Sequence, residues 1–150
     1  DRPLILDADG LNWLSEAKVD KREAEWIGTP HPGEARKLLG ENIEDRFLAV
    51  EKLHSLYGGL WVLKGAGTLV GPNPMYVNPF ADSILATAGS GDVLAGIIGG
   101  LVAQRSPTPA ISGVYLHSKS AELLKKKGRA TIVATDLLDT ISEVVTVYEK

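Results

Sequence analysis

The stretch Leu60-Trp61-Val62-Leu63-Lys64-Gly65-Ala66-Gly67-Thr68-Leu69-Val70 decides the fold class. Its apolar, β-forming side chains predict a strand over residues 60–64, and the glycines divide that strand from a second over residues 68–70. A helical pattern over residues 43–57 precedes the first strand and ends at Gly58-Gly59. Its predicted buried positions are Phe47, Val50, Leu53 and Leu56. A helix that leads into a strand is the repeating unit of an α/β fold.

The same alternation continues on both sides of this stretch. The further predicted strands cover residues 3–7, 25–29 and 75–78. The further predicted helices cover residues 11–17, a segment ending at residue 39, and residues 93–104, 110–126 and 135–148. We expect Asp9 or Asn12 to help start the first of these helices and Gly40 to stop the second. Residues 68–70 and 75–78 are expected to form a small antiparallel edge.

This order of elements predicts a three-layer α/β/α arrangement around a mainly parallel sheet, which binds ligands beyond the carboxyl ends of its strands. The glycine-rich turns of the sequence lie at such strand ends. Only two or three strands are clearly members of the main sheet, fewer than the roughly five or six of an average one. We therefore expect that the first part of the fold is missing from this chain.

Composition excludes several classes of function. The 150 residues are 44% hydrophobic and 23% charged, as in an ordinary globular domain. A net charge of -3 provides no strong attraction to nucleic acid or an anionic membrane. The basic run Lys125-Lys126-Lys127 is interpreted as a solvated helix end. The most apolar run, residues 93–103, is shorter than the about 18 residues that span a bilayer, so we predict no membrane anchor.

The chain contains no cysteine, which excludes disulfides, thiol catalysis and cysteine-based zinc sites. This composition suits a reducing compartment, and we expect a cytoplasmic protein. No pair of histidines has the spacing of metal ligands, and His54 and His117 fall within helical patterns, which favours packing or surface positions. The three tryptophans are too scattered for a nucleic-acid stacking surface and are expected in the core. They are Trp13, Trp26 and Trp61.

Gly89-Ser90-Gly91-Asp92, at the start of an apolar helix, is the sharpest local feature. Backbone N–H groups and the positive end of a helix converge there without Cβ atoms to block an anion. Gly89 and Ser90 would cradle a phosphate. A carboxylate would repel that anion unless it had its own role, and a general base beside a transferring phosphoryl group has one. The alternative is that Asp92 only caps the helix and the glycines form a turn.

Three other motifs carry candidate chemistry. The first presents bare backbone and a hydroxyl at a strand end, in Lys64-Gly65-Ala66-Gly67-Thr68, which suits a nucleotide. The alternative interpretation is a hairpin turn, and the two interpretations are compatible. Thr29-Pro30-His31-Pro32-Gly33-Glu34 holds an imidazole between two prolines, as a ligand contact or a bystander. Asp7-Ala8-Asp9-Gly10 offers two carboxylates for Mg²⁺ or a substrate hydroxyl, or for helix capping.

Four sequence blocks together resemble the NAD(P)H-hydrate dehydratase family of the ribokinase-like superfamily, and they occur in that family's order. They are residues 6–12 (Leu-Asp-Ala-Asp-Gly-Leu-Asn), 29–34 (Thr-Pro-His-Pro-Gly-Glu), 63–68 (Leu-Lys-Gly-Ala-Gly-Thr) and 86–96 (Ala-Thr-Ala-Gly-Ser-Gly-Asp-Val-Leu-Ala-Gly). Tyr115-Leu116-His117 and residues 134–138 are also similar, so the resemblance spans nearly the whole chain. It implies that residues 1–150 are the carboxyl-terminal portion of a single nucleotide-binding catalytic domain.

The resemblance implies a carbon–oxygen lyase that dehydrates the S epimer of NADHX or NADPHX, with ADP or ATP as co-substrate and Mg²⁺. It makes Asp92 a substrate contact and the base for phosphorylation of the hydrate hydroxyl, after which loss of phosphate restores the double bond. His31 would also contact the hydrated cofactor, and Glu34 would act on magnesium only through water. The residues implied in nucleotide binding are Lys64, Gly65, Ala66, Gly67, Thr68 and Gly91.

Two departures from the family pattern leave questions open. Asp82-Ser83-Ile84-Leu85 replaces the usual Asn-Pro-Gly-Met or Asn-Pro-Gly-Leu string, which affects phosphate-loop geometry and the choice of nucleotide. Family domains are nearly twice as long, so we expect little activity from this chain alone and an amino-terminal fragment that completes the fold. We also expect a homo-oligomer. The alternatives are a small-molecule kinase of the same superfamily, against which His31 argues, and a non-catalytic nucleotide-binding module.

Overall fold

A five-stranded sheet lies in the first of two compact units, Asp1–Pro79 and Phe80–Lys150, of the computed structural model. The structure describes residues 2–17, 24–80 and 82–148. The strands are β1 (Leu4–Leu6), β2 (Trp26–Gly28), β3 (Leu60–Leu63), β4 (Leu69–Gly71) and β5 (Tyr76–Val77). They lie in chain order; β1, β2 and β3 are parallel, and β4 and β5 continue the sheet in antiparallel pairing. The predicted antiparallel edge is therefore confirmed.

The helices of the first unit are α1 (Ala8–Glu16), α2 (Pro32–Leu39) and α3 (Arg46–Tyr57). α2 ends as predicted, because Gly40 adopts the left-handed conformation with φ of 69°. α1 begins earlier than predicted, with Asp7 in the N-cap position. Asp9 lies in its first turn, where an acidic residue favours the helix start as expected, whereas Asn12 lies inside the helix and does not start it. α3 begins three residues late, because the carboxylate of Asp45 accepts hydrogen bonds from the amides of Phe47 and Leu48.

The core of the first unit forms around Trp61, which is fully buried and meets Trp26 edge-on at 5.0 Å between ring centroids. Both tryptophans are therefore in the core as predicted. The prediction for Trp13 is wrong, because its side chain is 61% exposed. Leu11 and Leu14, one turn apart, form the buried face of α1, and Trp13 lies away from that face.

The predicted buried face of α3 is only half correct. Val50 and Leu53 are fully buried, whereas Phe47 is 50% and Leu56 is 56% exposed. The observed face also includes Ala49, a small residue that lets the helix approach the sheet closely. The buried face of α3 is therefore not the face that carries its largest apolar side chains, because the small Ala49 faces the core and Phe47 and Leu56 do not.

The second unit is helical in its described part. A short 3₁₀ helix, Ser83–Leu85, comes first, and it is followed by α4 (Ser90–Ala103), α5 (Pro109–Lys126) and α6 (Ala134–Tyr148). Gly113 of α5 lies against Ile98 of α4, where a Cβ would come within 2.6 Å of the isoleucine side chain. No helix in the described ranges combines the length and apolar character needed to cross a bilayer.

The basic run at the end of α5 is a solvated helix end, as predicted. Its three lysines are exposed, and each pairs with a carboxylate of the second unit. The pairs are Lys125–Asp82, Lys126–Glu122 and Lys127–Glu143. Cations near the last turn also interact favourably with the helix dipole.

Candidate nucleotide-binding and catalytic residues

Lys64-Gly65-Ala66-Gly67-Thr68 forms the turn of a hairpin between β3 and β4, which confirms the structural half of its interpretation. We call residues 64–68 the first turn. Its backbone is ordered at both ends, because the amide of Lys64 donates to the carbonyl of Pro30 at 2.8 Å and the hydroxyl of Thr68 donates to the carbonyl of Gly65 at 3.1 Å. The amides of Gly65 and Gly67 have no acceptor in the part of the chain that the structure describes.

The ammonium group of Lys64 lies between two carboxylates of the first unit. Its Nζ is 2.7 Å from Oδ1 of Asp7 and 3.9 Å from Oε2 of Glu34. All three side chains are largely buried, with exposures of 18% for Lys64, 13% for Asp7 and 10% for Glu34. A buried lysine needs such partners, since an unpaired charge is expensive to desolvate. The structure therefore brings together three charged residues that the sequence placed in separate motifs.

Arg46, the first residue of α3, binds the first turn from one side. Its Nη1 donates to the carbonyl of Ala66 at 2.5 Å, and its Nη2 donates to the carbonyls of Leu63 at 3.1 Å and Lys64 at 3.4 Å. Burial lowers the pKa of the Arg46 guanidinium below its ordinary value. Arg46 was not among the predicted site residues. A signal was available, because a cation at the positively charged start of a helix is unfavourable unless it binds something else.

His31 and Glu34 form a capping box at the start of α2. Nδ1 of His31 accepts from the amides of Gly33 at 3.0 Å and Glu34 at 3.2 Å, and the carboxylate of Glu34 accepts from the amide of His31 at 2.7 Å. The proton of the neutral imidazole is therefore on Nε2. Nε2 lies 3.5 Å from Oε1 of Glu34, and the His31 side chain as a whole is 56% exposed, so part of the imidazole remains accessible to a ligand.

The acidic residues of the first unit do not form a ready-made metal site. Among residues 2–17, 24–80 and 82–148, no three His, Cys, Asp or Glu side chains come together in a way that could hold a metal ion. Asp7 and Glu34 face the ammonium of Lys64, and Asp9 lies apart from them in the first turn of α1, where it is exposed. Magnesium commonly keeps several waters and binds through phosphates with one or two carboxylates. The described residues fit that mode of binding and not a protein cage.

Gly89-Ser90-Gly91-Asp92 starts α4, and we call residues 89–92 the second turn. Gly89 is the N-cap residue with φ of +82°, and Asp92 lies exposed in the first helical turn. The suggestion that Asp92 caps the helix is therefore wrong. The amide of Ser90 donates to the carbonyl of Thr87 at 3.2 Å, whereas the amides of Gly91 and Asp92 have no acceptor among the described residues. Those two free amides and the helix dipole are suited to an anion.

His117, on α5, supports the second turn. Its Nε2 lies 3.1 Å from the hydroxyl of Ser90 and 3.0 Å from the carbonyl of Ser90, and both residues are buried. Because a carbonyl only accepts, Nε2 carries the proton in that bond. Of the two expected positions, packing or surface, His117 takes the packed one. Its contact with Ser90 was not predicted, since nothing local links residues so distant along the chain. His54 is exposed, and its Nδ1 lies 2.7 Å from the carbonyl of Gly59, just beyond the end of its own helix.

The unusual segment at residues 82–85 is ordered by Asp82. One carboxylate oxygen lies 2.6 Å from Nζ of Lys125, and the other accepts from the amide of Ile84 at 3.0 Å. The Lys125 hydrogen bond and then the Ile84 amide hold the pKa of Asp82 below its ordinary value. An open cavity of about 440 Å³ borders this segment. Its lining includes Asp82, Ser83, Thr87, Lys125, Thr131 and Ile132.

Comparison with known proteins supplies the family. A family model described as NAD(P)H-hydrate dehydratase matches residues 1–143. The bifunctional NAD(P)H-hydrate repair enzyme Nnr of Coxiella burnetii is 46% identical over 146 residues, which are 91% of this chain and 30% of that protein. The ADP-dependent (S)-NAD(P)H-hydrate dehydratase of Neisseria meningitidis is 44% identical over 138 residues, which are 84% of this chain and 47% of that protein.

A solved structure agrees. The ADP/ATP-dependent NAD(P)H-hydrate dehydratase of Bacillus subtilis, co-crystallized with ATP and Mg²⁺, superposes with a TM-score of 0.87 at 30% identity, over 97% of this chain and 56% of that one. A ribokinase-like superfamily protein of Enterococcus faecalis superposes with a TM-score of 0.86 at 25% identity, over 96% of this chain and 52% of that one. This chain thus spans between about a third and just over half of these relatives. It belongs to the NAD(P)H-hydrate dehydratase family and has a ribokinase-like α/β fold.

Proposed function

We propose that the protein containing this chain dehydrates (S)-NADHX and (S)-NADPHX to NADH and NADPH, with ADP or ATP as the phosphoryl donor. Family membership supports this proposal, as do relatives whose names describe that reaction. In this proposal Lys64–Thr68 and Gly91 hold the adenine nucleotide, His31 contacts the hydrated ring, and Asp92 is the base. Since cysteine is absent, we also propose a cytoplasmic location.

The proposed chemistry has two steps. The hydroxyl oxygen of the hydrate attacks the terminal phosphorus of the nucleotide, its proton passes to Asp92, and the phosphorus–oxygen bond to AMP or ADP breaks. The phosphate ester then loses inorganic phosphate from its carbon, and a neighbouring carbon loses a proton, which restores the ring double bond. Such a transfer depends mainly on positioning and on neutralising the charge of the phosphoryl group.

The start of α4 is the observation that carries this proposal. The amides of Gly91 and Asp92 are free for phosphate oxygens, and the exposed carboxylate of Asp92 is on the same helical turn. A carboxylate normally weakens an anion site. Its presence beside two free amides is explained if it takes a proton from a hydroxyl that attacks the bound phosphate.

Magnesium has a subordinate place in the proposal. When bound to the nucleotide phosphates it would neutralise part of their charge, and Glu34 would meet it through water. Glu34 is suited to an indirect role because its carboxylate already accepts from the His31 amide and faces Lys64. His31 meets the substrate, in this proposal, through the exposed part of its imidazole ring.

An absorbance assay tests the proposed activity. The protein containing residues 1–150 is mixed with hydrated NADH, Mg²⁺ and either ADP or ATP, and the reduced-nicotinamide band is followed. We expect the band to return with at least one nucleotide and not without nucleotide. No return with either nucleotide would reject the dehydratase, and nucleotide consumption without return would favour a kinase acting on another alcohol.

A further inference from the structure

The guanidinium of Arg46 lies on one side of the first turn and donates hydrogen bonds to three backbone carbonyls. It binds the last carbonyl of β3, at Leu63, and two carbonyls of the turn itself, at Lys64 and Ala66. Gly65 leaves room for this approach, because a Cβ there would lie 3.3 Å from Nη2 of Arg46. With φ of +137°, Gly65 also has a backbone conformation that other residues rarely adopt.

Because a peptide bond is planar, these carbonyl contacts also fix the direction of the neighbouring amide N–H groups. In a trans peptide the carbonyl of one residue and the N–H of the next point in opposite directions. Because the carbonyls of Lys64 and Ala66 point at Arg46, the amides of Gly65 and Gly67 point away from it. These are two amides of the turn that donate to no acceptor among the described residues.

Arg46 is itself held in place, which makes it suited to fix the turn. It is the first residue of α3, whose start is anchored by the carboxylate of Asp45 through the amides of Phe47 and Leu48. A guanidinium has several donors in a rigid plane, whereas an ammonium is a point charge on a flexible stem. Three carbonyls spread along the turn need the wider group.

We propose that Arg46 is a positioning residue that aims the amides of Gly65 and Gly67 at the phosphates of the bound nucleotide. This inference rests on the proposed function only in taking the first turn as a nucleotide site. Arg46 does not touch the nucleotide; it acts through the backbone of the turn. Its positive charge behind the turn also favours an anion on the opposite side.

The test compares Arg46→Met and Arg46→Lys with the wild-type protein, by calorimetric titration with ADP. Lys52→Met is the matched control, since Lys52 lies on the same helix and its ion pair with Glu41 is away from the turn. We expect Arg46→Met to weaken ADP binding about 10- to 100-fold, because charged hydrogen bonds that order the donors are lost. Arg46→Lys should weaken it by a smaller factor, and Lys52→Met should leave it unchanged.

Steady-state kinetics separates positioning from general destabilisation. A rise in KM for ADP, without a matching rise in KM for hydrated NADH, is expected for both Arg46 variants, at a temperature where melting curves show them folded. If Arg46→Met does not fold, Arg46→Lys carries the test. Equal ADP affinity in wild type and a folded Arg46 variant would overturn this inference alone. Wild-type protein that binds neither ADP nor ATP would overturn the nucleotide site itself.

Discussion

The two glycine-rich turns both offer free amides, but they are supported in different ways. In the first turn, donors are aimed by Arg46, a side chain on another element that binds three carbonyls. In the second turn, the helix itself leaves the amides of Gly91 and Asp92 without an acceptor among the described residues, and the side chain of His117 contacts Ser90. A helix start therefore forms an anion site from local geometry, whereas a hairpin turn needs support from elsewhere in the fold.

The carboxylate is the second difference between the turns. Asp92 lies within the second turn, whereas the Asp7 and Glu34 carboxylates near the first turn are paired with Lys64. In the proposed function, this difference gives the proton-accepting role to the second turn and a binding role to the first.

Asp92→Asn is expected to have the largest effect. Without a proton acceptor, kcat should fall about 10²- to 10⁴-fold, the usual contribution of general base catalysis. ADP affinity should stay equal or increase, because a negative charge beside the phosphates is removed. Steady-state assay and calorimetric titration measure the two quantities.

Asp139→Asn is the matched control for that substitution, since Asp139 is an exposed carboxylate on α6. It should leave kcat unchanged. Turnover by Asp92→Asn at the wild-type rate would remove Asp92 from the base role.

His117→Leu tests whether the second turn also needs support from outside. The substitution removes the donor to Ser90 inside a buried site, and we expect a loss of about 1–3 kcal/mol in the free energy of unfolding. Denaturant titration measures the loss. His54→Leu is the control, expected to change stability by less than about 0.5 kcal/mol because His54 is exposed. An equal effect of both substitutions would contradict the assigned role of His117.

Gly89→Ala tests the backbone of the second turn. Gly89 has φ of +82°, and an added Cβ would lie 3.1 Å from that of Ala134, so we expect a loss of about 1–2 kcal/mol in unfolding free energy. Gly96→Ala, in the interior of the same helix with open space around it, should instead stabilise by about 0.5–1 kcal/mol. Thermal melts of the two variants should shift in opposite directions, and a shift in the same direction would argue against the described helix start.

The smallest effect concerns Asp82, which orders the segment before the second turn. Its pKa is lowered below the ordinary value of 3.8, so its stabilising contribution is present above pH 3.8 and is lost as the pH falls through the lower folded value. Stability of Asp82→Asn should therefore depend less on pH below 3.8 than that of the wild type. Denaturation midpoints across that range measure this, and parallel profiles would show that the Lys125 pair contributes nothing.

The features predicted correctly from the sequence are those that depend on residues close together in the chain. The alternation of helices and strands, the antiparallel edge and the αL stop at Gly40 are confirmed because each depends on neighbouring residues. Trp13 and Phe47 were predicted to be buried and are exposed. Burial on a helix depends on which face meets the core, and local sequence does not determine that face. Arg46 and His117 were missed for a related reason: their partners are distant in sequence, and only the folded chain brings them together.

An isotope label in the substrate hydroxyl tests whether that hydroxyl is phosphorylated. NADHX is prepared with ¹⁸O in its hydroxyl group, converted by the protein with ADP or ATP, and the products are analysed by mass spectrometry. If that hydroxyl attacks the terminal phosphorus, the label leaves in inorganic phosphate, one atom for each NADH restored. Label recovered in water would mean that the hydroxyl departs without being phosphorylated, and would contradict the account.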